Sequence, residues 1–452
     1  MKALEHIQHI YFIGIGGIGM SALARYFQGR GARVSGYDRT ATELTQALET
    51  SGMHVVYEDN PDTIPSGVDT IVYTPAIPTD NLIRQRFEQL GYTLLKRSDI
   101  LQVISEGSFN ICIAGTHGKT TISTMTAHML RHTGYGCNAF LGGISANYQT
   151  NFWRDDRNLC VIEADEYDRS FLKLSPDIAV ISAMDADHLD IYGTAEEMEK
   201  AFIDFSGKVR TGGLLLFHHG LKRSSELRGS RQLSYEAADS AADVHARDLR
   251  ISSGSYHYDV VGKGWLLERV VLHMGGMHNV ENSLAAIAIA KDLGIEDDKI
   301  REAVAAFRGV RRRFQYIVQK EGLVYIDDYA HHPEELKALI GGARQLFPEL
   351  KCTVIFQPHL FTRTRDFAEG FARSLDLADE VYLLPIYPAR EKPIEGVRSE
   401  MLAAMMKKPV RVLSARDTAL EVLEGYGKGL LITAGAGDID ALVEPIHKLL
   451  TN

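Results

Sequence analysis

Tryptophan and cysteine are scarce in this 452-residue chain, at two and four residues. Cys112, Cys137, Cys160 and Cys352 form no C-x-x-C pair and fall mostly inside apolar runs, so buried thiols are expected and disulfides or thiolate metal sites are not. A reducing, cytoplasmic setting fits that usage. No stretch approaches the ~18 apolar residues of a membrane span. The N-terminus places Glu5, His6 and a glycine turn where a signal peptide carries its apolar core, so no membrane insertion is expected. An excess of positive charge is also missing. With 49 Lys and Arg against 59 Asp and Glu, the net charge of −10 argues against broad binding to a nucleic-acid backbone. There is no low-complexity tract and no repeat of solenoid period. What is present is ample core material, 45% hydrophobic residues, in a chain long enough for two to four domains at about 100–200 residues each. A polar stretch at 105–110 and a basic, glycine-led turn at 309–313 divide it into 1–106, 107–310 and 311–452.

The most informative segment is Ala114-Gly115-Thr116-His117-Gly118-Lys119-Thr120-Thr121. It lies between an apolar strand, Phe109 to Ala114, and a helix whose Ile122, Met125, Met129 and Leu130 recur at helical spacing. A glycine turn that opens a helix offers free N–H groups to an anion. In that setting Lys119 reaches the outer phosphates of a nucleotide and the Thr120 hydroxyl ligates Mg²⁺. The loop is shorter than a Walker A sequence, with Ile113 where its first glycine would stand. Downstream, Glu163-Ala164-Asp165-Glu166-Tyr167-Asp168 and Asp185-Ala186-Asp187-His188 each follow an apolar strand. Ligands of open α/β sheets gather beyond strand carboxyl ends, so these acids and the histidine are candidates for ATP-bound Mg²⁺; the alternative is an acidic rim that caps helices.

The first region alternates strands (His9 to Ile13, Ala32 to Tyr37, His54 to Tyr57, Thr70 to Thr74) with helical stretches, a parallel α/β pattern. Its first turn, Gly14-Ile15-Gly16-Gly17-Ile18-Gly19, is followed by an acid, Asp38, about 20 residues on, as in dinucleotide-binding turns. The polar stretch Ser105 to Asn110 reads as a linker. Residues 218–272 read as antiparallel strands and loops, and Asn279 to Leu293 as a helix. After the turn Gly309 to Arg313, a third α/β alternation begins. Arg311, Arg312 and Arg313 lie in that turn, where one can meet a transferring phosphoryl group or form interdomain salt bridges. Tyr329, His331 and His332, then His359, Arg363 and Arg365, follow apolar strands; no third ligand with zinc-like spacing accompanies the histidines. Two phosphate-gripping sites and a basic, aromatic third region point to ATP-driven activation of a carboxylate.

These motifs together resemble the Mur ligase family, whose G-x-x-G-K-T loop accounts for the short phosphate loop. The resemblance spans the chain and includes Gly276 to Asn282, Asp327 to Pro333 and Phe356 to Thr364. It implies an α/β fold of three domains: an N-terminal Rossmann-like parallel sheet, a central P-loop ATPase-like domain, and a C-terminal Rossmann-like domain. It implies ATP and Mg²⁺ as cofactors, with Gly115, Thr116, Gly118, Lys119, Thr120 and Thr121 on the phosphates. Thr120, Glu163 and His188 are the implied Mg²⁺ ligands. His278, Asn279 and Asn282 correspond to adenine contacts, Asp328 to a ribose contact, and Arg312 or Arg313 to a phosphate-facing arginine. Gly16, Gly17, Ile18, Gly19, Asp38 and Thr74 correspond to a pocket for the UDP part of UDP-N-acetylmuramate. Tyr329, His331, His359 and Arg363 correspond to the region for the acceptor, L-alanine. The implied reaction is ATP-dependent attachment of L-alanine to the muramoyl carboxylate through an acyl phosphate, in peptidoglycan biosynthesis, with no protein partner implied. A ligase that recycles a preformed tripeptide, and a nicotinamide-dependent oxidoreductase suggested by the first glycine turn, are the alternatives. One departure stands out: family members often carry arginine after Gln-Pro-His, and here the residue is Leu360.

Overall fold

The strand His9–Ile13 (β1) is buried along its whole length, as expected of a strand covered on both faces. In the computed structural model, which describes residues 4–167, 169–185, 189–252, 254–389 and 391–451, β1 is the centre of a five-stranded parallel sheet. Its partners are Arg33–Tyr37 (β2), His54–Val56 (β3), Thr70–Tyr73 (β4) and Leu94–Lys96 (β5), in the order β3-β2-β1-β4-β5.

A seven-stranded sheet follows: Phe109–Ala114 (β6), Asn138–Ser145 (β7), Thr150–Trp153 (β8), Leu159–Glu163 (β9), Ile178–Ile181 (β10), Leu214–His218 (β11) and Arg231–Tyr235 (β12). Its order is β12-β11-β10-β6-β9-β7-β8. All its pairings are parallel except β7 with β8. Because β6 lies between β9 and β10, the segments that leave all three carboxyl ends emerge side by side. That placement gathers the phosphate loop and both acidic segments on one edge.

The segment expected as a linker, Ser105 to Asn110, is instead a buried junction. The helix Arg97–Glu106 runs through Ser105, and β6 begins at Phe109. Ser105 and Asn110 are fully buried. Asn110 Nδ2 donates to Ser105 O at 2.6 Å, Arg210 donates to the carbonyls of Ser105 and Ser108 at 2.8 Å each, and Asp177 accepts from Asn110 N at 2.8 Å. Polar residues occur here because the buried backbone needs partners. The β7–β8 pair has no counterpart in the sequence reading, since Gly142 and Gly143 weaken the strand signal of β7.

Residues 218–272 supply His245–Ser252 (β13), Ser255–Gly262 (β14) and Trp265–Leu272 (β15), a sheet in that order. The last sheet holds Gln315–Lys320 (β16), Leu323–Asp328 (β17), Cys352–Phe356 (β18), Glu380–Leu383 (β19), Val410–Val412 (β20) and Gly429–Ala434 (β21). Its order is β16-β17-β21-β18-β19-β20, parallel apart from β16.

The chain divides into two compact units: residues 1–246, 260–267 and 281–304, and residues 247–259, 268–280 and 305–452. In the first, one apolar cluster joins Phe12, Leu23 and Tyr26 with Phe140, Phe171 and Phe202. In the second, Tyr325, Ile355, Leu431 and Ile446 share a core. All four cysteines are free and buried, as expected. Among the described residues no helix is long and apolar enough to cross a membrane.

Candidate active site

The phosphate loop leaves β6 at Ala114 and enters the helix Lys119–His132 through Gly118, whose φ of 81° favours glycine. Gly115, at φ 133°, has no room for a side chain: a Cβ would lie 2.2 Å from Ser182 Oγ. The loop is therefore pressed against the end of β10. Thr116 N donates to Ala183 O at 3.1 Å, and Thr116 Oγ1 accepts from Asp185 N at 3.1 Å. Thr121 is buried in the first helical turn.

Lys119 folds back over its own loop. Its Nζ donates to Gly115 O at 2.7 Å and to Glu166 Oε1 at 2.7 Å. Glu166 is 1% exposed, and its Oε2 is buried without a hydrogen-bond partner among the described residues. Burial pushes the Glu166 carboxyl above its usual range, against the downward pull of Lys119. Thr120 Oγ1 donates to Glu163 Oε1 at 3.0 Å, while Glu163 Oε2 accepts from Gly142 N at 2.9 Å. Gly142 is glycine because Glu163 fills the space a Cβ would need. Thr120 and Glu163 thus present two hard oxygens side by side. Mg²⁺ takes one or two protein oxygens together with substrate phosphates and water, so this donor pair fits it. His188, the third expected ligand, lies outside the described residues, as do Asp168 and Asp187.

On the helix Met277–Asp292, Asn282 Oδ1 would stand 2.8 Å from a Cβ at Gly118, so this side chain borders the phosphate loop. Asn279 is buried and its Nδ2 donates to Gly275 O at 2.7 Å. The His278 ring covers Gly276, where a Cβ would lie 2.3 Å from Cε1.

At the first glycine turn, Asp38 Oδ2 accepts from Gly16 N at 2.8 Å, and a Cβ on Gly14 would meet Thr74 Cγ2 at 2.7 Å. Gly17 N closes the turn onto Gly14 O at 3.2 Å. Ile18 O accepts from Asn151 Nδ2 of the second sheet at 2.6 Å. The residues expected at the UDP pocket are therefore together. Arg97, absent from the sequence reading, joins them: its guanidinium lies against Gly19.

In the second unit, Tyr329, His331, His359 and Arg363 form one cluster. Ring centroids of Tyr329 and His331 are 5.1 Å apart, and those of His331 and His359 are 6.2 Å apart. Arg363 Nη1 donates to His359 Nδ1 at 3.3 Å, which leaves that ring neutral with its proton on Nε2. His331 Nδ1 donates to Tyr329 O at 2.9 Å, so its free lone pair is on Nε2. Burial lowers both histidines, His359 to about 4. Tyr387, which no motif marked, stacks on His359 at 5.8 Å. Leu360 follows His359 at φ 69°, with its N–H donating to Tyr387 O at 2.9 Å.

Of the arginines in the Gly309 turn, Arg312 is held by partners in its own unit. It donates to Gly435 O, lies 3.6 Å from both Asp327 Oδ2 and Asp440 Oδ2, and covers the Tyr329 ring at 5.1 Å. Arg313 is exposed. Asp328 Oδ1 and Oδ2 accept from Ala330 N and Phe314 N at 2.7 and 2.6 Å, which fixes the turn beside Arg313.

Residues 9–108 match the Mur ligase family, catalytic domain; residues 113–290 the Mur ligase middle domain; and residues 312–437 the Mur ligase, glutamate ligase domain. The chain is 44% identical to a UDP-N-acetylmuramate–L-alanine ligase of Flavobacterium johnsoniae, covering 99% of each, and 44% identical to that of Phocaeicola vulgatus, covering 98% of each. The crystal structure of the UDP-N-acetylmuramate–alanine ligase of Thermotoga maritima superimposes with a TM-score of 0.85 at 28% identity, over 98% of this chain and 99% of that one. With family matches in all three regions and full-length relatives at this identity, the chain belongs to the Mur ligase family.

Proposed function

We propose that this protein joins L-alanine to the carboxylate of UDP-N-acetylmuramate through an acyl phosphate, with cleavage of ATP to ADP and phosphate. The observation that carries this is the full-length likeness to ligases named for that reaction, in a chain whose Lys119, Thr120, Glu163 and Asn282 surround one phosphate loop. Lys119 exchanges Glu166 for the outer phosphates, and the loop N–H groups hold the inner ones. Thr120 and Glu163 would hold Mg²⁺, with His188 as third ligand by family likeness, and the ion would supply neutralisation of charge on the transferring phosphoryl group. Arg313, which is exposed, is the arginine of that turn assigned to that group by family likeness. The N-terminal glycine turn, Asp38 and Thr74 hold the UDP part.

The muramoyl carboxylate oxygen bonds to the γ-phosphorus as the bond to ADP breaks. Arg363 takes the carboxylate of L-alanine, and His331 Nε2 takes the proton that the ammonium must lose before its nitrogen can attack the acyl carbon and expel phosphate. A phosphate-release assay with ATP and Mg²⁺, each of UDP-N-acetylmuramate and L-alanine omitted in turn, tests the reading. Release is expected only with both, and release without either would defeat it. A preformed tripeptide in place of L-alanine separates the recycling alternative.

A further inference from the structure

We propose that Arg97 binds the diphosphate of the UDP-sugar, held in position for it by Asp165. The last glycine of the N-terminal turn is the first observation. A Cβ on Gly19 would lie 2.5 Å from Arg97 Nη1, 3.0 Å from Cδ and 3.2 Å from Cζ, so the side chain rests directly on the glycine backbone. Gly14 and Gly16 are instead approached by Thr74 and Asp38. Gly19 is therefore bare so that a guanidinium can approach the turn.

Arg97 is anchored at its base. It is the first residue of the helix Arg97–Glu106, and Lys96 N, just before it, donates to Asp99 Oδ2 at 2.8 Å. Asp99 in turn pairs with Lys173. At its tip, Arg97 Nη2 donates to Asp165 Oδ2 at 3.2 Å. An arginine has five N–H donors in a planar fork, and a single bond to one nitrogen leaves most of that fork for an oxyanion. The Asp165 side chain is 41% exposed, so its pairing with Arg97 is of the weak, exchangeable kind.

A cavity of about 100 Å³ opens at this tip. Ile18, Gly19 and Arg97 line one side, and Gly142, Glu163 and Asp165 the other. It runs from the glycine turn to the carboxylate that receives Thr120. The acidic segment thereby touches both ligand sites: Asp165 reaches Arg97, while Glu163 and Glu166 reach Thr120 and Lys119. Among the described residues Arg97 is the one basic side chain lining the cavity, and a guanidinium fork binds phosphate oxygens in pairs.

This inference rests on the proposed ligase reading, and one titration separates the two. The affinity of UDP-N-acetylmuramate for the full-length protein is measured by calorimetry without ATP, and UDP, which has the diphosphate but no carboxylate, is used as competitor. Arg97→Ala should weaken both ligands by the same factor, roughly 10- to 100-fold for a lost hydrogen bond to a charged group. Unchanged ATP affinity certifies that the variant is folded. Arg97→Lys should recover part of the loss, because the charge remains without the fork. Asp165→Asn should weaken both ligands several-fold in the wild type and have no effect in Arg97→Ala, as expected of a residue that acts through Arg97. Loss confined to UDP-N-acetylmuramate would assign Arg97 to the muramoyl carboxylate and overturn the proposal, and so would unchanged affinity for both. Wild-type protein that binds neither ligand would overturn the ligase reading itself.

Discussion

Two cations of this protein stand where an anion is expected, and they are prepared in opposite ways. Lys119 is neutralised in advance by a fully buried carboxylate 2.7 Å away. Arg363 faces the neutral ring of His359 and has no ion pair among the described residues. The difference matches the binding energy each ligand brings. A nucleoside triphosphate makes many contacts and can displace Glu166 from Lys119. A small amino acid has one carboxylate, and a cation already free of acids lets that single contact count.

The contrast breaks most sharply at Lys119. Lys119→Ala should lower the ligation rate by about 10³-fold or more, as for loss of a charged group aimed at a developing anion. It also leaves Glu166 buried alone, at a cost of about 3–5 kcal/mol by the behaviour of broken buried pairs. The double variant Lys119→Ala, Glu166→Gln should regain stability in thermal unfolding and stay inactive in phosphate release. Recovery of activity would exclude Lys119 from the phosphate site.

Glu166→Gln alone sharpens the comparison by making the first site resemble the second. With its competitor gone and one negative charge removed, the ATP dissociation constant should fall roughly tenfold, the scale of one hydrogen bond to a charged group. Weaker ATP binding in calorimetry would mean that Glu166 positions Lys119 and does not compete for it. Gly19→Ala is milder. An added Cβ would lie 2.5 Å from Arg97 Nη1, so the flexible tip must swing off the turn, and UDP-sugar affinity should fall a few-fold while ATP affinity holds, in the same titrations.

The smallest effect is a pH slope in the second unit. His359 keeps a lowered value of about 4 when folded, against 6.5 for the free side chain. Between those values the unfolded chain binds a proton that the folded one does not, so stability falls as pH drops from 6.5 to 4. Asp327 acts the other way. Burial raises it to about 7 from 3.8, the folded chain keeps a proton the unfolded one has lost, and stability falls as pH rises across that window. Unfolding midpoints of His359→Gln and Asp327→Asn, each compared with wild type from pH 4 to 7, should diverge in opposite directions; parallel lines would contradict the assigned burial.

Local chemistry was legible in the sequence and long-range pairing was not. Gly115 to Thr121 declares its loop through residues that are neighbours in the chain, and the strands around it follow from apolar runs. The partner of Lys119 is 47 residues away and that of Arg97 is 68 away, so neither pairing has a signature of its own. Arg97 opens an ordinary helix and matches no motif. Ser105 to Asn110 was misread because polar residues that satisfy buried backbone look the same in sequence as polar residues that face water. Leu360 gave no hint of its positive φ, which is uncommon for a residue with a branched side chain.

The junction at Gly107 bears on how this protein can be taken apart. Arg210 holds the carbonyls on both sides of it, and Asp177 holds both Arg210 and the strand that follows. A gene truncated there, or a protease cut there, would leave a guanidinium and a carboxylate of the second sheet without the backbone they grip. The boundary between the first two family-matched regions is thus not a place to cut. Shuffling the first region with that of another family member would require the residues at 105–110, 177 and 210 to travel as a set.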